Sequence, residues 1–108
     1  MGWKVESWGK AVDDEINALP PDLLARLARF RRLIEEHGPS ALPMPHARYL
    51  VDGLWELRLS GKDKIARAIY ITARNQRVVV LRVFVKKSQK TPAHELALAR
   101  QRARTLMT

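Results

Sequence analysis

Forty residues from Gly53 to Pro92, GLWELRLSGKDKIARAIYITARNQRVVVLRVFVKKSQKTP, leave this chain few ways to fold. Trp55, Leu57 and Leu59 alternate with Glu56 and Arg58, the period of a strand with one buried face. Ser60-Gly61 and Asn75-Gln76 are turn signals. Between them Ile65, Arg67, Ile69 and Ile71 alternate with Ala66, Ala68, Tyr70 and Thr72. Val78 to Val85 is the most β-prone run of the chain, and apolar on both faces, as a central strand covered on two sides would be. The stretch therefore predicts a three-stranded meander carrying the cations Arg58, Arg67, Arg82, Lys86, Lys87 and Lys90, with Lys64 in the turn between its first two strands.

The flanking sequence supplies the remaining elements. Trp3 to Trp8 alternates and reads as a first strand. Asp13-Asp14-Glu15 opens a short helix ending near Leu19, with acids placed to complement the helix dipole. Pro20-Pro21 starts a second helix, in which Leu23, Leu24, Leu27, Phe30, Leu33 and Ile34 recur at three- and four-residue spacing; His37-Gly38-Pro39 ends it. Ser40 to His46 is a proline-rich loop, and Arg48 to Val51 a short strand that turns through Asp52-Gly53 into the meander. Thr91-Pro92 reads as a capping hydroxyl and a first-turn proline for a last helix running to about Leu106. The expected fold is α+β in a single domain, 1–108: a helical hairpin packed on a sheet of four to five strands, antiparallel with a mixed edge, and a C-terminal helix.

Charge narrows the function. Residues 1–52 hold 7 Lys/Arg and 8 Asp/Glu, whereas residues 53–108 hold 13 Lys/Arg and only 3 Asp/Glu. A cationic half of this kind points at a polyanion, nucleic acid ahead of an acidic protein. With no cysteine, thiolate chemistry and disulfides are excluded. His37, His46 and His94 are scattered without ligand spacing, so neither a metal site nor a cofactor is expected. The N-terminal MGWKVESWGK has no apolar core and no stretch reaches spanning length, so the expected location is cytoplasmic, away from membranes. RNA cleavage suits this inventory. The substrate's own 2′-OH attacks phosphorus, cations neutralise the phosphoryl oxygens, and one donor or acceptor moves protons.

GLWELR, Arg67 and Tyr70 within KIARAIY, the run VVVLRVFVKKSQKTP and the helix HELALARQRA resemble the RelE/HigB superfamily of type II toxin–antitoxin toxins, most closely its phage-derived HigB-like branch. The resemblance covers nearly the whole chain, and KKSQKTP is its most specific piece. It implies a small α+β toxin that cleaves mRNA, typically in the ribosomal A site and without metal. Its partner would be an antitoxin, usually a helix-turn-helix protein. Carried over by position, the resemblance places the family's basic residues on Arg58, Arg67 and the Lys86, Lys87, Lys90 cluster. A catalytic Tyr or His near the last helix would fall near His94. The expected catalytic set is thus Arg58, Arg67, Lys87, His94 and Tyr70, with Lys86, Lys90, Arg82 and Lys64 contacting RNA. Glu56 stands where RelE proper often has a lysine. Related ParE toxins share the fold and poison gyrase, so a non-catalytic inhibitor of a protein target is the alternative, and a plain nucleic-acid-binding module a further one. Tyr70 and Phe84 could stack on bases, although packing is the commoner role for an aromatic in a strand.

Overall fold

A computed structural model describes residues 2–42, 46–86 and 90–106. In chain order the elements are β1 (Lys4–Ser7), α1 (Lys10–Asn17), α2 (Pro21–His37), a 3-10 turn (Pro39–Ala41), β2 (Ala47–Val51), β3 (Leu54–Ser60), β4 (Ile65–Ala73), β5 (Arg77–Lys86) and α3 (Ala93–Arg104). The strands form one sheet in the order β1-β5-β4-β3-β2. β1 runs parallel to β5 and every other pair is antiparallel.

The hairpin turns follow from local chemistry. At the β2–β3 turn Asp52 and Gly53 have φ of 54° and 80°, and at the β4–β5 turn Asn75 and Gln76 have 65° and 55°. These left-handed pairs give the turn twist that adjacent strands need, and Asp, Asn and Gly reach it at least cost. Two registers differ from simple alternation. Ile69 pairs with Arg82 and Tyr70 with Val80, leaving Leu81 as a bulge in β5. β2 is irregular between Tyr49 and Val51.

The two faces of the sheet carry different work. On one, Leu57, Leu59, Ala66, Ala68, Tyr70, Val78, Val80 and Val83 pack with Val12, Leu23, Phe30 and Ile34 of α1 and α2. On the other, Leu54, Ile69, Val79 and Leu81 meet Leu96, Ala99 and Ala103 of α3. Burying a side chain of Leu, Ile or Phe size contributes roughly 1.5–3 kcal/mol, so these clusters supply most of the drive for folding. Helix α3 covers only part of its face, and Arg58, Arg67 and Lys86 lie on the rest.

Two helix starts differ from the sequence reading. α1 begins at Lys10, one turn before Asp13, because the Gly9 carbonyl already accepts the Val12 and Asp13 amides at 3.0 Å. The cap of α3 is Pro92, not Thr91; the Thr91 hydroxyl turns away from the helix and donates to a Glu56 carboxylate oxygen. The start of α2 is tied across the molecule. Asp22 Oδ2 accepts the Lys62 amide at 2.7 Å, and that bond, more than any other contact, lowers the Asp22 pKa. Gly61 beside it has no room for a side chain, since a Cβ would lie 2.6 Å from Asp22 Oδ2 and 2.8 Å from Leu23 Cδ2. Gly61→Ala is expected to destabilise the protein by about 1–3 kcal/mol, as overpacking does, read as a lower urea midpoint with an unchanged slope.

Candidate functional site

Register alone assembles the site. Arg58 of β3 lies directly opposite Arg67 of β4, and Arg67 opposite Phe84 of β5. Ile65 faces Lys86, and Arg48 of the edge strand β2 faces Glu56. In-phase residues on neighbouring strands share a face, so Arg48, Arg58, Arg67 and Lys86 surround Glu56 on the face opposite α1 and α2.

Glu56 is fully buried and Arg67 is 2% exposed. Glu56 Oε1 lies 3.6 Å from Arg67 Nε and 3.7 Å from Arg58 Nε, and its other oxygen accepts the Thr91 hydroxyl. Arg67 also donates to the Ala66 carbonyl at 3.1 Å. Lys86 Nζ is enclosed, with no hydrogen-bond acceptor among the described residues. One buried carboxylate therefore stands against four cations. Burial lowers the pKa of Lys86, and nearby Arg67 lowers it further. Burial likewise lowers that of Arg67; Glu56 opposes the shift, while Arg58 and Arg48 reinforce it. An open cleft of about 820 Å³ adjoins this cluster, walled by Arg48, Tyr49, Arg58, Lys90, Thr91 and Arg100 among others. The arrangement is short of negative charge, and a phosphate in the cleft would supply it.

Of the residues expected from sequence, the fold brings together Arg58, Arg67 and Lys86, with Lys90 on the cleft wall. Lys64 is exposed in the β3–β4 turn, its carbonyl accepting the Gly61 amide at 2.9 Å. Lys87 lies outside the described residues. His94 is 79% exposed in the first turn of α3, 3.5 Å from Glu95. Tyr70 is on the opposite face, 3% exposed, stacked on Trp55 at 6.5 Å, and burial pushes its phenol up to about 12. Phe84 is buried, as the packing role requires.

Arg82, read from sequence as an RNA contact, is instead committed to an ion-pair network. It bonds Glu95 at 2.6 Å and Glu15 at 2.7 Å, and Arg102 joins Glu15 at 3.0 Å. The two carboxylates raise the Arg82 pKa. The network serves the sheet: β1 stops at Ser7, and beyond it Glu15 accepts the Val83 amide while Arg102 donates to the Leu81 carbonyl. Sequence reading also missed Arg48 and the burial of Glu56. The alternation in β3 put Glu56 in phase with Arg58, which was the available signal.

A five-stranded mixed sheet with two helices on one face, a C-terminal helix on the other and a cationic cluster beside it defines a RelE-like architecture. A chain of the archaeal RelE–RelB complex from Pyrococcus horikoshii OT3 is similar, with TM-score 0.50 and 21% identity over 77% of this chain and 93% of that one. The model of the phage-derived Gp49-like family matches residues 14–104; the chain belongs to that family, and with it to the RelE superfamily of toxins. No curated protein matches the sequence. Among the described residues no three His, Cys, Asp or Glu side chains cluster as metal ligands, and no helix is long and apolar enough to cross a membrane.

Two expectations follow. Arg67→Met leaves Glu56 buried with a weakened partner set and is expected to cost about 3 kcal/mol, whereas the double replacement Glu56→Leu/Arg67→Met restores much of that loss in chemical denaturation. Lys86 has a folded pKa below its unfolded value of 10.5, so its charge opposes folding. Stability is expected to rise with pH between the folded pKa and 10.5, and Lys86→Met to abolish that rise in melting curves.

Proposed function

We propose that this toxin is an endoribonuclease that cuts translated mRNA at the ribosome and is silenced by a helix-turn-helix antitoxin. The observation that carries the reading is the under-neutralised cluster itself: Arg48, Arg58, Arg67 and Lys86 around one carboxylate, beside an open cleft. An RNA phosphate entering the cleft meets Arg58 and Lys90 first, with Arg67 and Lys86 beneath. In the transition state of 2′-OH attack, negative charge grows on the phosphoryl oxygens, and fixed cations at a dry site stabilise it far more than water does. Glu56 holds the two arginines in place before substrate arrives. Its acidity replaces the lysine of RelE proper, so proton transfer rests elsewhere. Lys86, whose ammonium burial makes more acidic, is suited to protonate the departing 5′-oxygen, and His94 on the exposed helix start is the second candidate. Tyr70, held neutral on the other face, has no part in the chemistry. The similar archaeal chain was solved with RelB, which supports a protein antitoxin here.

The test is a short induction in bacterial cells, with transcript 5′ ends mapped against reading frame. In-frame cuts in translated regions are expected, reduced about 10²- to 10³-fold in folded Arg58→Ala and Lys86→Met variants. Growth arrest without new cuts would instead assign the toxin a protein target, as in ParE. Neither arrest nor cuts would leave a basic binding module.

A further inference from the structure

The aromatic residues singled out by sequence, Tyr70 and Phe84, are 3% and 7% exposed and present no open ring face. Tyr49 differs from both. It is 52% exposed, the most accessible of the large hydrophobic side chains among the described residues. Its ring is also fixed at two points: the hydroxyl accepts the Gly53 amide at 3.1 Å, and Trp55 meets it edge-on at 5.4 Å between centroids and 76° between planes. Behind Trp55 stands Tyr70, so the exposed ring is the outer member of a three-ring series. Exposing and immobilising an aromatic face is unfavourable for solubility and gains the fold little.

Its position supplies a reason. Tyr49 follows Arg48 on β2, an outermost strand, and both contribute to the wall of the cleft that holds Arg58 and Lys90. Consecutive strand residues point to opposite faces. A single strand with a phosphate against Arg48 therefore has only to cross the rim at β2, where no further strand stands in the way, to lay its next base on the Tyr49 ring. Stacking needs a flat, pre-ordered π face and no particular hydrogen-bond pattern, which is what a ring anchored through its own hydroxyl offers.

We propose that Tyr49 is a base-stacking residue that positions a nucleotide adjacent to the phosphate bound by the Arg48–Arg58 cluster. The assignment rests on the reading of the cleft as an RNA site. Anchoring by Tyr49 sets which phosphate sits over Lys86 and Arg67, and so makes Tyr49 a positioning residue rather than a catalytic one.

The test uses the full chain and a short single-stranded RNA made uncleavable by 2′-O-methylation and carrying 2-aminopurine at successive positions. With wild type, fluorescence quenching is expected at one position. Tyr49→Ala is expected to lose that quench and bind about 5- to 150-fold more weakly, and Tyr49→Phe and Tyr49→Trp to keep both. Tyr49→Leu, which still fills the space against Trp55, controls for folding and is expected to behave like Tyr49→Ala. If the Ala and Leu variants bind and quench like wild type, while Arg58→Ala weakens binding, the ring belongs to a protein contact and the assignment is overturned alone. If wild type itself binds no RNA at low salt, the reading of the cleft as an RNA site falls and takes this one with it.

Discussion

A carboxylate with no contact to water sits among arginines at the centre of this molecule, and the functional face is arranged around it. Glu56 reaches Arg58 along its own strand, Arg67 across the neighbouring one and Thr91 at the entrance to α3. Isolated, any of these buried charges would be costly by several kcal/mol. Together they hold two guanidinium groups at fixed positions, and Thr91, just before the last helix, is tied to the sheet. The cluster still carries an excess of positive charge, and the Lys86 ammonium has no hydrogen-bond acceptor among the described residues. The excess charge therefore works against stability, as uncompensated buried cations do.

Division of labour between the two sheet faces keeps that conflict local. The face under α1 and α2 carries the main apolar cluster and, among the described residues, no buried ion pair, so it supplies stability independently of the site. On the opposite face α3 covers Leu54, Ile69 and Val79 but stops short of Arg58, Arg67 and Lys86. Arg82 marks the boundary: although in phase with Arg67, it is occupied by Glu15 and Glu95. One cationic strand position thus builds the scaffold and the next faces the cleft.

Much of this was legible in the residues. Alternation in β3 and β4, the Asp52-Gly53 turn and the capped amphipathic pattern of α2 specify their elements locally, so periodicity and turn chemistry sufficed. The pairing of Arg58 with Arg67 follows from the same meander register. What escaped was long-range. Glu56 looked like an exposed acid because nothing in sequence showed Thr91, 35 residues on, closing over it. Arg82 looked available because its partner Glu15 lies on α1, 67 positions earlier in the chain. The hydroxyl of Thr91 carried a strong capping signal, and a buried carboxylate outcompeted the helix for it. Tyr49 drew no attention, since exposure of one aromatic depends on β2 being an edge, which only topology decides.

The early end of β1 has a consequence for how this protein meets other chains. Past Val80, the middle of β5 would offer an unsatisfied ladder to any passing strand, but the Glu15 carboxylate and the Arg102 guanidinium already occupy the Val83 amide and the Leu81 carbonyl. Side chains thus stand in for a missing neighbour strand. The outermost strands, β1 and β2, lie at opposite ends of the sheet and keep outer rims open to foreign backbone. A segment added along β2 would run beside the cleft, whereas one added along β1 would leave it open.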